Sequence, residues 1–150
     1  MKIVIDNRHM DYSGGGEHVR MIVSLLSHFA DIYVTQTPQF YFGNDFTATH
    51  IHVPPKQYLG TFIPDLFIYV DYRHYVKPIG RVNAQICFYG LKKKVKGYDY
   101  ALCINDFVAK SILNNWPDVL PVIIPPFFDD SLYKIDNKEN QLKHQLINKI

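Results

Sequence analysis

The first residues along the chain that could do chemistry form the stretch Gly14-Gly15-Gly16-Glu17-His18. Glycine has no side chain, so its backbone can visit positive φ and a ligand can approach its N–H groups closely. Where such a turn opens a helix, the free amides and the helix dipole favour an anion, typically a phosphate. The stretch therefore predicts a phosphate-binding loop, and a flexible turn without a ligand is the alternative.

Two well-known glycine motifs do not fit this spacing. The dinucleotide fingerprint needs G-x-G-x-x-G and an acidic residue at the end of the second strand. Gly14 and Gly16 are instead followed by Val19, and the second predicted strand ends in Thr35. A Walker A loop needs Gly-Lys-Ser/Thr, which does not follow the glycines here. The spacing therefore argues against NAD and against ATP.

Alternating strands and helices are predicted around the glycines. Apolar segments buried on both faces are typical of parallel sheets, whereas apolar residues three and four apart indicate a helix. The pattern predicts an α/β, doubly wound parallel sheet of Rossmann-like type in one domain, residues 1–133, with a polar helix or linker at 134–150. Strands are expected at 2–6, 32–35, 49–53, 66–71, 84–89, 98–104 and 119–124, and helices at 17–30 and 106–115. Asn105 or Asp106 is expected to cap the second helix, with Val108, Ile112 and Leu113 facing inward.

In doubly wound sheets, ligands bind at the carboxyl ends of the strands. The predicted strand ends are Asp6 onward, Thr35 onward, 71–81, 89–90 and 105–106. On these loops His9 and His74 are candidate histidines, with a solvated position as the alternative for each. Tyr69, Tyr72 and Tyr75 suggest a surface on which a sugar could stack, although Tyr69 also fits a core position. The substrate-binding residues expected from the sequence are Gly14, Gly15, Gly16, Glu17, His18, Asp71, Tyr72, His74 and Asn105.

Composition excludes several function classes. A net charge of +2 over 150 residues is too small to argue for nucleic acid. No run approaches the ~20 apolar residues of a membrane span. Cys87 and Cys103 lie in apolar segments without metal-binding spacing, which predicts buried free thiols in a reducing cytoplasm. Four lysines would attract a diphosphate or an anionic lipid at the inner membrane face, unless they form a solvated turn: Lys92, Lys93, Lys94 and Lys96.

Three motifs in order resemble the N-terminal domain of GT-B glycosyltransferases, particularly the retaining family four. The first is the strand, loop and glycine stretch that ends at Val19. The second, residues 96–110, looks like an element of the family in which a tyrosine-aspartate pair precedes a strand and serine-x-phenylalanine precedes the next helix. Asn105 stands where the family usually has the serine. The third, residues 122–129, looks like the strand with two prolines and an aspartate that closes the domain. Residues 36–96 match only as a general alternation of strands and helices.

The resemblance implies that this chain is the acceptor-binding half of a GT-B fold. In the family, a C-terminal domain holds the nucleotide sugar through a glutamate-x7-glutamate element. The chain ends at Ile150, where the family's linker would enter that domain, so we expect no transfer without a donor domain from the same parent chain or a separate subunit. Gly15 and Gly16 would face the donor phosphates, and neither a metal nor a cofactor is implied for this half.

Two functions stay open. The first is the acceptor-binding half of a hexosyltransferase-type enzyme that transfers a sugar from a nucleotide sugar to a glycan, lipid or protein. The second is a non-catalytic glycan- or protein-binding module, since relatives carry a histidine after the strand at 84–89 and this chain has Phe88-Tyr89-Gly90 there. A response-regulator-like domain has thin support, because Asp6 and Asp71 alone form no acidic cluster. Catalytic residues cannot be assigned from the sequence.

Overall fold

The computed structural model describes residues 1–7, 14–35, 51–52, 61–70, 76–89 and 97–125. These residues form an α/β fold with one sheet in which every strand pair is parallel. Six strands have four or more residues, and β3 has two. The elements are β1 (Lys2–Asp6), α1 (Gly14–Ser27), β2 (Asp31–Val34), β3 (Ile51–His52), β4 (Leu66–Tyr69), β5 (Val82–Cys87), β6 (Tyr100–Cys103), α2 (Asp106–Asn115) and β7 (Leu120–Ile123).

The strands lie in the order β3-β2-β1-β4-β5-β6-β7, which contains the order 3-2-1-4-5-6 of Rossmann sheets. The chain first winds from β1 towards β3, then returns to the other side of β1 and continues through β7. Ile3 therefore has a partner on both sides, Ile32 in β2 and Leu66 in β4. The winding direction reverses between β1 and β4.

Each face of the sheet has its own core. Alternate residues of β1 point to opposite faces. Ile3 and Ile5 pack with α1, and Val4 packs with aromatic side chains on the other face. We call the face of Ile3 and Ile5 the α1 face and the face of Val4 the α2 face. Helix α2 packs on the α2 face, where Val108 and Ile112 contact Cys87 and Cys103 of neighbouring strands. The buried side chains of the α1 face belong to Ile3, Ile5, Val19, Ile22, Val23, Ala30, Ile32, Val34, Ile68, Val70, Ala84 and Ile86.

The predicted α1 boundaries are wrong at both ends. The helix begins at Gly14 instead of Glu17 and ends at Ser27 instead of Ala30. The three glycines therefore belong to the first turn of the helix and not to the loop before it. Glycine is a poor helix former, which hides the start of the helix in the sequence. Phe29 follows the helix and is 70% exposed, so it does not belong to the buried side.

Two further expectations need correction. Strand β5 is shifted two residues towards the N-terminus of its predicted range, because Val82 pairs with Leu66 and starts the ladder. Leu113 was expected to face inward, but it is 51% exposed. The buried side of α2 instead follows Val108 and Ile112, which are four residues apart. None of the described helices is long and apolar enough to cross a membrane.

A glycine turn fixes the start of β5. The Gly80 N–H donates to Asn83 Oδ1 at 2.8 Å, and Asn83 Nδ2 donates back to the Gly80 carbonyl at 3.0 Å. The Asn83 N–H donates to a carboxylate oxygen of Asp99 at 2.8 Å, which ties the turn to the residues before β6. A Cβ atom on Gly80 would lie 2.9 Å from Phe67 N and 2.7 Å from Val82 O. Only glycine fits here without a shift of β4 or β5.

Replacement of this glycine tests the packing of the turn. Gly80→Ala places a methyl group against strand backbone, which cannot move aside as a flexible side chain would. We expect the free energy of unfolding to fall by about 1–3 kcal/mol in urea denaturation. Arg81→Ala, at an exposed side chain in the same turn, is the control and should change stability by less than about 0.5 kcal/mol. Equal stability of both variants would contradict the close packing described here.

Candidate functional site

The N-terminus of α1 follows the carboxyl end of β1, at the edge where the winding reverses. Strand β1 ends at Asp6, and α1 begins at Gly14. The first amides of an α-helix have no acceptor within the helix, which here include the N–H groups of Gly14, Gly15 and Gly16. These amides and the positive end of the helix dipole can bind an anion. Three glycines in this turn leave the backbone open to close approach.

A buried polar layer lies at the ends of β1 and β2. Asp6 and Asn7 are 1% and 0% exposed. The Asn7 N–H donates to Thr35 Oγ1 at 2.9 Å. The Thr35 hydroxyl lies 2.9 Å from Asn7 Oδ1 and 3.3 Å from Asp6 Oδ1. Because a hydroxyl has one proton, it donates best to the nearer Asn7 oxygen. These hydrogen bonds hold the carboxyl ends of β1 and β2 together.

His18 is the buried titratable side chain of α1 nearest to this edge. It is 4% exposed, and neither ring nitrogen has a hydrogen-bond partner among the described residues. Its ring meets the ring of Phe88 edge to face, with 6.0 Å between centroids, just after β5. Burial lowers the pKa of His18 below its ordinary value, so the imidazole is neutral near pH 7. A neutral imidazole offers one donor and one acceptor to a ligand.

The structure brings together only part of the predicted site. The backbone of residues 14–17 and the side chain of His18 belong to the same helix end above β1. Asn105 follows β6, three strand spacings of about 4.8 Å from β1, and thus roughly 14 Å away across the sheet. Tyr69 is 1% exposed and belongs to the core, so it offers no surface for a sugar. Predicted positions outside the described residues are His9, Asp71, Tyr72, His74, Tyr75, Lys92, Lys93, Lys94 and Lys96.

Asn105 has a local structural role. It is the N-cap of α2, and its Oδ1 accepts a hydrogen bond from the Val108 N–H at 2.9 Å. This bond satisfies one of the free amides at the start of the helix. The capping bond confirms the sequence-based expectation that Asn105 or Asp106 caps this helix. It also occupies the side-chain oxygen that a ligand would otherwise use.

Two residues of the edge were missed as site residues in the sequence. Thr35 was placed at a strand end on the ligand-binding edge but was not named as a substrate-binding residue, although the register of β1 and β2 places it beside Asp6. A polar residue directly after each of two neighbouring parallel strands was the available signal. Phe88 was noted only where the resembled family has a histidine, and its contact with His18 could not be predicted because that contact depends on how α1 packs on the sheet.

The cysteines and the small cavity beside them do not form a binding site. Cys87 and Cys103 are free and buried, as predicted, and they are register partners in β5 and β6. Burial raises the pKa of the Cys103 thiol to about 11 and that of Cys87 further. The cavity, bounded by Gln85 and Trp116, measures about 10 Å³, which is room for about one water molecule. Within the described ranges, no three His, Cys, Asp or Glu residues form a group that could hold a metal.

Comparisons with protein-family models, with curated proteins and with solved structures give no match for this chain.

The buried His18 predicts a pH dependence of stability. The unfolded chain binds a proton at His18 near pH 6.5, whereas the folded chain binds it only at a lower pH. The contribution of His18 to the free energy of unfolding is therefore fully present above pH 6.5. It is lost as the pH falls towards the lowered pKa of the folded state. We expect the free energy of unfolding of His18→Leu to fall less between pH 7 and pH 5 than that of the original chain. The difference should be up to about 1.4 kcal/mol per pH unit, as measured by urea denaturation. Phe88→Leu removes the ring contact but keeps the titrating group, so its pH dependence should persist.

Asn105 allows capping and binding to be separated. Asn105→Ala removes the cap and should lower the free energy of unfolding by about 1 kcal/mol. Asn105→Asp keeps a capping oxygen, so its stability should match that of the original chain. Thermal unfolding of the two variants measures the difference. A stable alanine variant would show that the cap contributes little and would return Asn105 to the list of ligand-binding candidates.

Proposed function

We propose that this chain is the acceptor-binding, N-terminal half of a GT-B glycosyltransferase with a doubly wound, Rossmann-like sheet. Support comes from the strand order, whose winding reverses at β1, and from the two helices, which pack on opposite faces. Further support comes from the three motifs that resemble retaining family four in the order that the family has. The donor would be a nucleotide sugar, and the acceptor a glycan, a lipid or a protein.

The observation that carries the proposal is the glycine turn at the start of α1. In sheets of this order, ligands bind in the crevice where the winding reverses. Here that crevice is bordered by β1, which leads into the glycines, and by β4. A helix that begins with Gly14, Gly15 and Gly16 offers bare amides at this point. The resemblance, which was noted from the sequence, assigns the donor phosphates to the same glycines.

Sugar transfer requires a group that stabilises the departing nucleoside diphosphate. Backbone amides of Gly15 and Gly16 would donate hydrogen bonds to the phosphate oxygens as negative charge develops on them. The neutral His18 would accept a proton from the acceptor hydroxyl or hold that hydroxyl by a hydrogen bond. A second domain, from the parent chain or a separate subunit, would bind the nucleotide and the sugar. Without it this half binds acceptor but transfers nothing.

A second candidate is a glycan- or protein-binding module without catalysis. The favouring observation is the end of β5, where many members of the resembled family carry a histidine and this chain has Phe88 and an exposed Tyr89. If the chain belongs to an enzyme, His18 would replace the family's histidine. Its ring contacts Phe88 and so lies next to the position of that histidine at the end of β5. In the binding module, the same crevice would hold a glycan without turnover. For both candidate functions, the lysines at 92–96 would attract an anionic acceptor or an anionic membrane surface.

Alanine in the glycine turn separates stability from binding. Gly15→Ala improves helix propensity, so the free energy of unfolding should rise by up to about 1 kcal/mol. The added methyl group should weaken binding of pyrophosphate at least about tenfold, as measured by NMR titration of the amide signals of residues 14–17. Asn114→Ala, at an exposed position in α2, raises helix propensity away from the site and should leave binding unchanged. If Gly15→Ala binds pyrophosphate as well as the original chain, the glycines are not a phosphate site.

The transferase itself needs the donor domain. A parent protein that contains this chain together with a glutamate-x7-glutamate domain would be incubated with a panel of nucleotide sugars and glycan acceptors. We expect transfer that is lost when Gly15→Val and Gly16→Val are combined, because the bulky side chains block the amides. Transfer that survives this double substitution would refute the proposed role. Glycan-array binding without turnover in the complete protein would favour the binding module instead.

A further inference from the structure

Strand β7 ends the sheet on one side and carries exposed apolar side chains. It pairs with β6, and no strand of the described residues pairs with its other edge. Leu120, Val122 and Ile123 are 59%, 37% and 46% exposed. An apolar strand at the edge of a sheet presents unpaired backbone groups on which a strand of another chain can add. A chain with such an edge needs a feature that prevents this pairing.

The hydrogen bonds between β6 and β7 show which backbone groups of β7 point away from the sheet. The Leu120 N–H donates to the Asp99 carbonyl at 3.0 Å, and the Ile124 N–H donates to the Cys103 carbonyl at 2.8 Å. In a strand, the N–H and C=O groups of one residue point to the same side, and successive residues alternate between the two sides. Even-numbered residues of β7 therefore face β6. The backbone groups that face outward are those of residues 121, 123 and 125.

Two of these three outward positions hold proline. Pro121 and Pro125 have no backbone N–H group, because their nitrogen is closed in a ring. Ile123 therefore carries the one outward N–H between residues 121 and 125. Within sheets, proline is confined largely to edge strands, where the missing N–H would face solvent, and both prolines have this orientation. A strand that added to β7 would find carbonyl acceptors along this stretch but a single donor.

We propose that Pro121 and Pro125 keep β7 as the end of the sheet by preventing the β7 strand of a second copy from adding there. Each copy supplies one outward N–H, that of Ile123, so two paired β7 strands would form two hydrogen bonds over this stretch. Without prolines, three residue pairs with two bonds each would form six. The proline carbonyls would also lose water without gaining a donor, which opposes pairing. The proposal concerns the assembly of this chain and is independent of its enzymatic function.

Substitutions that restore the outward N–H groups test the proposal in the full 150-residue chain. We expect Pro121→Val combined with Pro125→Val to form dimers or larger assemblies, with a dissociation constant at least about tenfold below that of the original chain in sedimentation equilibrium. Leu120→Val is the matched control. It changes an apolar side chain of β7, but its N–H stays bonded to Asp99, so association should not change. Adding Ile123→Lys to the double variant should restore the monomer, because a charged edge opposes pairing.

Hydrogen exchange of the Ile123 amide, followed by NMR, is a second measurement. In the original chain this amide should exchange at about the rate of an unprotected amide, and in the double variant at least about tenfold more slowly. A protected Ile123 amide in the original chain would show that a strand already pairs with β7 and would overturn the proposal. A double variant that associates no more than the original chain would overturn it as well. If the double variant fails to fold, as judged by circular dichroism, Pro125→Val alone replaces it with the same expectations.

Discussion

The parallel pairing of β1 with two partners is the constraint on which the rest of the structure depends. Four of the five residues of β1 are buried, and Ile3 is hydrogen-bonded in ladders to both β2 and β4. Helix α1, which follows β1 in the chain, packs on one face of the sheet, whereas Val76 and Ile79, which follow β4, pack on the other. A crevice at the carboxyl edge follows from this topology before any side chain is considered. The polar layer of Asp6, Asn7 and Thr35 joins the carboxyl ends of β1 and β2 at the same edge.

The start of α1 runs against local helix preference. Each glycine in a helix is about 1 kcal/mol less favourable than alanine, and three occur in succession. The helix forms because its next turns bury Val19, Ile22 and Val23 against β1 and β2. Packing therefore offsets a weak first turn that alanine would strengthen. Positions where a sequence breaks a local rule without a structural gain are expected at functional sites, and this turn is such a position.

The sequence predicted most of the sheet and only part of the site, for identifiable physical reasons. Strands buried on both faces are apolar nearly throughout, so β1 and β4 were placed within one or two residues. Helix ends and register depend on tertiary contacts. Thus α1 began earlier than predicted, and β5 shifted to pair Val82 with Leu66. The Thr35 bonds required the register of β1 and β2, and the contact between His18 and Phe88 required the packing of α1. Such contacts join residues distant in sequence, which periodicity cannot show.

The energetics of His18 distinguish a packing role from a binding role. An aromatic contact such as that with Phe88 contributes about 0.5–1.5 kcal/mol. Leaving a buried polar group without a hydrogen bond costs about 1–3 kcal/mol, and His18 has two ring nitrogens in this state among the described residues. Phenylalanine at this position would keep the ring contact without that penalty. The packing gain alone therefore does not account for a histidine at this position, and the ligand that we propose for the crevice would supply a hydrogen bond to the ring.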